Sequence, residues 1–181
     1  FNQTRNNDLN INKWKEIFKK CKSADHNFEN FILPIEKELY FLESNWPKNL
    51  KAGIIHADLF RDNIFFKNDK LVGVIDFYFS CNDFFTYELA ILTNAWCFDL
   101  RGMFLIENFK SLMDGYNQIS SLNEDEKNNF NIILRGAAMR ILVTRLHDEI
   151  FHPNGANLVR KDPNEYFSIL KWHQENLVFD L

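Results

Sequence analysis

Two short apolar runs, Ile64-Phe65-Phe66 and Leu71 to Ile75, flank the polar segment Asn68-Asp69-Lys70. Apolar runs around a polar turn of that length read as an antiparallel hairpin. This hairpin constrains the chain more than any other segment, because polar residues stand at both of its open ends. His56-Ala57-Asp58-Leu59-Phe60-Arg61-Asp62-Asn63 leads into the first strand, and Asp76 follows the second. With a turn of two or three residues near Asp69, the residue opposite Asn63 is Asp76 or Ile75. Directly opposed side chains lie about 4.5–5.5 Å apart at Cβ. Asn63 and Asp76 are therefore expected to emerge from neighbouring strand ends, with Asp58 in the preceding loop able to face the same spot.

Singly, these residues carry little information. Asp and Asn are favoured at turns and strand ends for local hydrogen bonding alone, and a lone His56 reads as a buried, hydrogen-bonded histidine. Together they form H-x-D-x-x-x-x-N, then a hairpin that ends in Asp, which is a specific pattern. An amide oxygen and a carboxylate at adjoining strand ends can share one magnesium ion. A second carboxylate beside them can receive a hydroxyl proton. That is the residue set a phosphoryl-transfer site needs on one side of its cleft.

At 181 residues one compact domain with a sizeable core is expected. Hydrophobic residues at 46% and charged residues at 25% place the chain among globular proteins rather than disordered ones. A net charge of -4 with no long basic run argues against a nucleic-acid binder. No apolar stretch approaches the roughly 20 residues of a membrane span, and no signal peptide opens the chain. Cys21, Cys81 and Cys97 are widely spaced and form no C-x-x-C pair. They read as reduced thiols, and a cytoplasmic protein is expected.

The rest of the chain reads as mostly helical. Residues 1–12 are polar and are expected to loop over a surface. Trp14, Ile17, Phe18 and Cys21 recur at helical spacing. Phe28, Phe31, Ile32, Ile35, Leu39, Leu42 and Trp46 form a cleaner stripe. Pro34 is expected in the first turn of that helix and Pro47 after its end. Gly53-Ile54-Ile55 reads as a short buried strand. From Asp83 onward the pattern is helical: one helix through Trp96, one over Phe104–Tyr116, and one from an Asn123/Glu126 cap to about Ile150. Pro153-Asn154-Gly155 breaks the chain, and Asp162 before Pro163 caps a last helix to about Glu175. The expected class is α+β, mostly helical, with a small hairpin carrying the polar motif.

At these residues the sequence resembles the aminoglycoside phosphotransferase and choline kinase superfamily of small-molecule kinases. Within it, the sequence is most similar to bacterial homoserine kinases. The resemblance covers nearly the whole chain. It rests on GIIHADLFRDN (Gly53–Asn63), VIDFYFSCND (Val74–Asp83), YELAILTNAWCF (Tyr87–Phe98), RGAAMRILVTRL (Arg135–Leu146) and Lys161-Asp162-Pro163 with Tyr166. It implies the C-terminal lobe of a protein-kinase-like fold over residues 1–181. It also implies ATP and Mg2+ as cofactors and L-homoserine as the small-molecule substrate, phosphorylated on its hydroxyl on the route to threonine. Asp58 then matches the catalytic aspartate, Asn63 and Asp76 the magnesium and nucleotide ligands, and His56 the histidine that braces the loop.

The chain departs from this pattern in places. Glu88 stands where relatives often carry Asp in D-L-A, and Phe60 where protein kinases carry Lys. Nothing before the motif matches a glycine-containing phosphate loop or a strand lysine with its helix glutamate. The chain begins at Phe1 rather than Met, and an N-terminal ATP-binding lobe, in cis or in trans, is expected to be missing from it. A zwitterionic substrate needs an acid for its ammonium and a donor for its carboxylate. Asp83, Glu88, Arg140 and Arg145 are candidates, Asp83 and Arg140 foremost. The plainer account of Arg140 and Arg145 is ion pairing with Asp148, Glu149 or Asp83. His147-Asp148-Glu149 with His152 lacks H-E-x-x-H spacing and reads as a helix end rather than a metal cluster. Two rivals share these features: a superfamily member acting on choline, an amino sugar or methylthioribose, and a non-catalytic lobe acting as a binding module.

Overall fold

The Asn10 side chain accepts the Lys13 amide and so starts the first helix, α1 (Ile11–Ser23), which buries Trp14, Phe18 and Cys21 on one stripe. The computed structural model describes residues 4–24, 27–99, 101–152 and 161–181. The expected break at Pro153-Asn154-Gly155 lies outside the described residues.

The second helix, α2 (Glu29–Asn45), buries Phe31, Ile35, Leu39 and Leu42, the stripe read from the sequence. It starts earlier than expected, which puts Pro34 in its second turn rather than its first. The ring removes one donor, leaving the Asn30 carbonyl without its helical partner. Asn30 is exposed, so water can serve that carbonyl, and burial of the flanking apolar stripe keeps the helix continuous.

Four short strands follow in two antiparallel pairs. β1 (Ala52–Ile55) pairs not with the hairpin but with a later segment, whereas β2 (Ile64–Lys67) and β3 (Lys70–Val74) form the expected hairpin. Asn68 and Asp69 both take positive φ, 49° and 59°, which suits a two-residue turn matched to strand twist. A bulge between Phe65 and Phe66 shifts the register, so that Ile64 faces Val74. Asn63 therefore meets Ile75, whose N–H donates to the Asn63 carbonyl at 3.0 Å.

The strand at Gly53–Ile55 is not buried: Ile55 is, but Ile54 is 74% exposed. Asp83 does not begin a helical stretch: β4 (Cys81–Phe84) pairs with β1, Ile55 opposite Cys81 and Ala52 opposite Phe84. Cys-Asn-Asp-Phe has no apolar alternation, so only its distant backbone partners make it a strand. Those partners include the N-terminal segment, which does not merely loop over the surface. The Arg5 carbonyl accepts the Asn82 amide at 2.6 Å.

The remaining helices are α3 (Phe85–Trp96), α4 (Ile106–Asn117), α5 (Glu124–Ile150) and α6 (Pro163–Glu175). α5 opens with the capping box read from the sequence: Asn123 takes the Glu126 amide, and Glu126 takes that of Asn123. α6 opens with Asp162 accepting the Asn164 amide and Pro163 in the first turn. α5 is the axis of the molecule, packed by α1, α2, α3 and α6, and buries Phe130, Ile133, Leu134, Met139, Leu142 and Leu146. A helix apolar on several faces must sit inside. Gly136 on α5 is required there, because a Cβ would run into the Trp46 ring. Arg135 binds Glu38 of α2 through Nε and Nη2, each at 2.7 Å, and Gln174 of α6 joins the same carboxylate at 2.7 Å.

The result is a mostly helical α+β architecture with small antiparallel sheets. No helix among the described residues is long and apolar enough to cross a membrane. Cys21, Cys81 and Cys97 are free and buried. The two strand pairs and the turn of 3-10 helix that follows β3 (Phe77–Phe79) stand out for what they leave uncovered: Ile54, Phe65, Phe66, Leu71, Val72, Ile75, Phe77 and Tyr78 are all exposed.

Candidate active site

The loop between β1 and β2 is held from three sides. Glu88, in the first turn of α3, accepts the His56 amide at 2.6 Å on one oxygen and the Ala57 amide at 2.9 Å on the other. His56 Nδ1 accepts the Asp58 amide at 3.2 Å, which assigns the ring proton to Nε2. Nε2 then donates to the Ile75 carbonyl at 2.9 Å and ties the loop to the far strand of the hairpin. The His56 ring also packs on Phe77, centroids 4.6 Å apart.

These bonds hold a strained path. Ala57 has φ 63°, as does Asp76 at the other end of the site. For residues with a Cβ this region costs about 1–2 kcal/mol each, and such outliers gather at functional loops. The kink at Ala57 turns Asp58 away from the strand and into a groove of about 290 Å³. Asp58, Asn63 and Asp76 all line that groove, with Asp62, Thr144, Arg145, Asp148 and Lys161. The Asn63 amide nitrogen donates to the Asp58 carbonyl at 2.8 Å and to its carboxylate at 3.0 Å. Its own side-chain oxygen is left to act as an acceptor or ligand.

Burial pushes the Asp58 carboxyl above the usual carboxylate range, against the pull of the Arg140 guanidinium, and the Asp76 charge adds to the rise. Burial likewise pushes Glu88 up, opposed by the two amides it accepts. A carboxylate of raised pKa is a better proton acceptor near neutrality.

The other candidates are placed differently. Asp83 is on β4, one oxygen taken by Asn7 Nδ2 and the other by the Phe84 amide, both at 2.7 Å, and it does not line the groove. Arg145 does line it, but pairs with Glu165 at 2.6 Å rather than with Asp148, Glu149 or Asp83. Arg61, in the same loop as Asp58, points away from the groove's acids and turns back to the end of α3, donating to the Ala95 and Phe98 carbonyls at 3.0 Å each. Arg140 pairs with none of the acids expected. It is buried on α5, with Nη1 on the Ala57 carbonyl and Nη2 3.3 Å from Asp58 Oδ1. Sequence reasoning missed this pairing. One signal was present: a charge between Met139 and Ile141, inside the most apolar part of a central helix, demands a buried partner.

Residues 2–120 match the family model described as the phosphotransferase enzyme family, APH. The chain belongs to this family. Among curated relatives, it is 44% identical to the homoserine kinase of Parvibaculum lavamentivorans, across 96% of this chain and 54% of that protein. It is 46% identical to the homoserine kinase of Bartonella henselae, across 96% of this chain and 53% of the relative. The chain thus spans about half the length of the curated relatives it matches. Among solved structures, an ethanolamine kinase from Plasmodium vivax superposes with a TM-score of 0.64 at 15% identity, covering 99% of this chain and 52% of that one. That likeness shows a shared fold, the protein-kinase-like fold.

Proposed function

We propose that this chain is the catalytic-loop half of a homoserine kinase, which moves the γ-phosphoryl group of ATP to the hydroxyl of L-homoserine in threonine biosynthesis. The observation that carries the reading is the convergence of Asp58, Asn63 and Asp76 on one groove. The identities of 41–46% with homoserine kinases support this acceptor over choline or an amino sugar.

In this reading Asp58 accepts the hydroxyl proton of the substrate as its oxygen attacks. Asn63 holds that carboxylate in place through its amide nitrogen and offers Oδ1 to a cation, with the Asp76 carboxylate beside it. Among the described residues no group of three or more His, Cys, Asp or Glu is arranged to hold a metal alone. Mg2+ does not need one, because it binds through one or two protein oxygens plus phosphates and water. When bound, Mg2+ neutralises charge on the phosphates of ATP. Glu88 and His56 do not react; they fix the loop from which Asp58 projects.

The opposite wall of the cleft is assigned to an N-terminal lobe supplied in cis or in trans. The half-length match to the relatives and the exposed apolar residues of the strand pairs support that assignment. Coupled ADP release is the test. The chain alone is expected to turn over weakly or not at all. Joined to the N-terminal half of the Parvibaculum relative, it is expected to phosphorylate L-homoserine in preference to choline, an amino sugar or methylthioribose. Asp58→Asn in that enzyme is expected to lower kcat about 10²–10⁴-fold. Full activity of Asp58→Asn, or a preference for another acceptor, overturns the reading.

A further inference from the structure

Arg140 is a buried charge in direct contact with the loop that carries Asp58, and its contacts are unusual. Its side chain is 3% exposed. Nη1 donates to the Ala57 carbonyl, and Nη2 lies 3.3 Å from Asp58 Oδ1. The guanidinium carbon sits 5.2 Å from the centre of the Phe79 ring, just past Asp76. Nε is buried and has no hydrogen-bond partner among the described residues, so the two terminal nitrogens make the contacts to the loop.

Those nitrogens grip consecutive residues at the point of strain. Ala57 is at φ 63°, and its carbonyl direction decides where Asp58 points. A planar fork fixes the relation between its two acceptors, which a lysine ammonium cannot do. Glu88 holds the Ala57 amide from the other side of the same residue. The kink is therefore clamped at its N–H by an accepting carboxylate and at its C=O by a donating guanidinium.

We propose that Arg140 is a positioning residue that locks the left-handed kink at Ala57 and aims Asp58, and that it is not a ligand for the substrate carboxylate. This rests on the proposed kinase reading for its kinetic test but not for its structural one. In the joined enzyme, Arg140→Lys is expected to lower kcat about 10²-fold, the scale of a misplacement near 1 Å. KM for L-homoserine is expected to hold within about twofold. The same kcat loss is expected with 3-amino-1-propanol, which has the hydroxyl and ammonium but no carboxylate. A rise in KM confined to L-homoserine, with kcat kept, would make Arg140 a substrate ligand and overturn the proposal.

The second arm uses the 181-residue chain itself, without activity. Native-state hydrogen exchange is measured in wild type and Arg140→Lys. The Ala57 and Asp58 amides, bound to Glu88 and to His56 Nδ1, are expected to exchange at least about 10-fold faster, while the Leu142 amide on the same helix keeps its rate. Equal acceleration at all three sites would reduce Arg140 to a general packing role and overturn the proposal. Absence of any phosphoryl transfer by the wild-type enzyme counts against the kinase reading, and the exchange result then decides this one.

Discussion

Glu88→Ala offers the sharpest energetic test of the loop. The wild-type carboxylate accepts two amides, from His56 at 2.6 Å and from Ala57 at 2.9 Å. Both donors lie on buried residues, so removing the acceptor leaves two N–H groups with no water to replace it. Each stranded donor costs about 1–3 kcal/mol, a gross loss of about 2–6 kcal/mol. Against this, the carboxylate is itself buried, enough to push its pKa up, and removing it recovers part of its desolvation. A net loss near the lower half of the range follows, about 2–3 kcal/mol. For a chain of this size each kcal/mol moves Tm by about 2–4 °C, giving a drop of roughly 4–12 °C. Glu88→Asp, one methylene shorter, keeps one of the two bonds and is expected to lose about half as much. Urea denaturation gives ΔG and differential scanning calorimetry gives Tm. A Glu88→Ala variant within about 0.5 kcal/mol of wild type, the range of a neutral surface change, would refute the two-amide account.

Three further outcomes follow from packing and charge. Gly136→Ala is expected to cost about 1–3 kcal/mol by forcing a methyl into the Trp46 ring; an unchanged tryptophan emission spectrum would contradict that displacement. Glu38→Ala strands Arg135 and Gln174 and is expected to cost about 3 kcal/mol in urea denaturation, whereas Glu38→Leu with Arg135→Met is expected to recover most of it. His173 is buried, with Nε2 2.8 Å from Asn94 Oδ1, and burial pushes it down to about 3. An unfolded histidine takes its proton near 6.5, so between these values the unfolded state binds more protons and stability falls as pH falls, by about 1.4 kcal/mol per pH unit. His173→Gln is expected to remove that increment from the pH dependence of the urea midpoint between pH 6.5 and 5; identical slopes in both proteins would contradict it.

What the sequence made legible was local. The Asn123/Glu126 capping box, the Asp162-Pro163 start of α6 and the turn at Asn68-Asp69 each depend on residues within four positions of one another. The convergence of Asn63 and Asp76 was legible too, because a hairpin ties its two ends by register. What stayed hidden depends on distant partners. β4 is a strand only because β1 and Arg5 bond its backbone. Arg140 reaches Ala57 and Asp58 across more than eighty residues of chain, and no spacing rule connects them. Pro34 was misplaced for a related reason: the helix continues around it through burial against α5, a tertiary effect that local propensity does not see.

The uncovered aromatics of the ribbon and of the turn that follows it have a practical consequence at the bench. Phe65, Phe66, Phe77 and Tyr78 present a sticky flank to anything that diffuses past. Purified at high concentration, this chain is expected to elute earlier from a sizing column than its mass predicts, to light up a hydrophobic dye, and to be calmed by mild detergent.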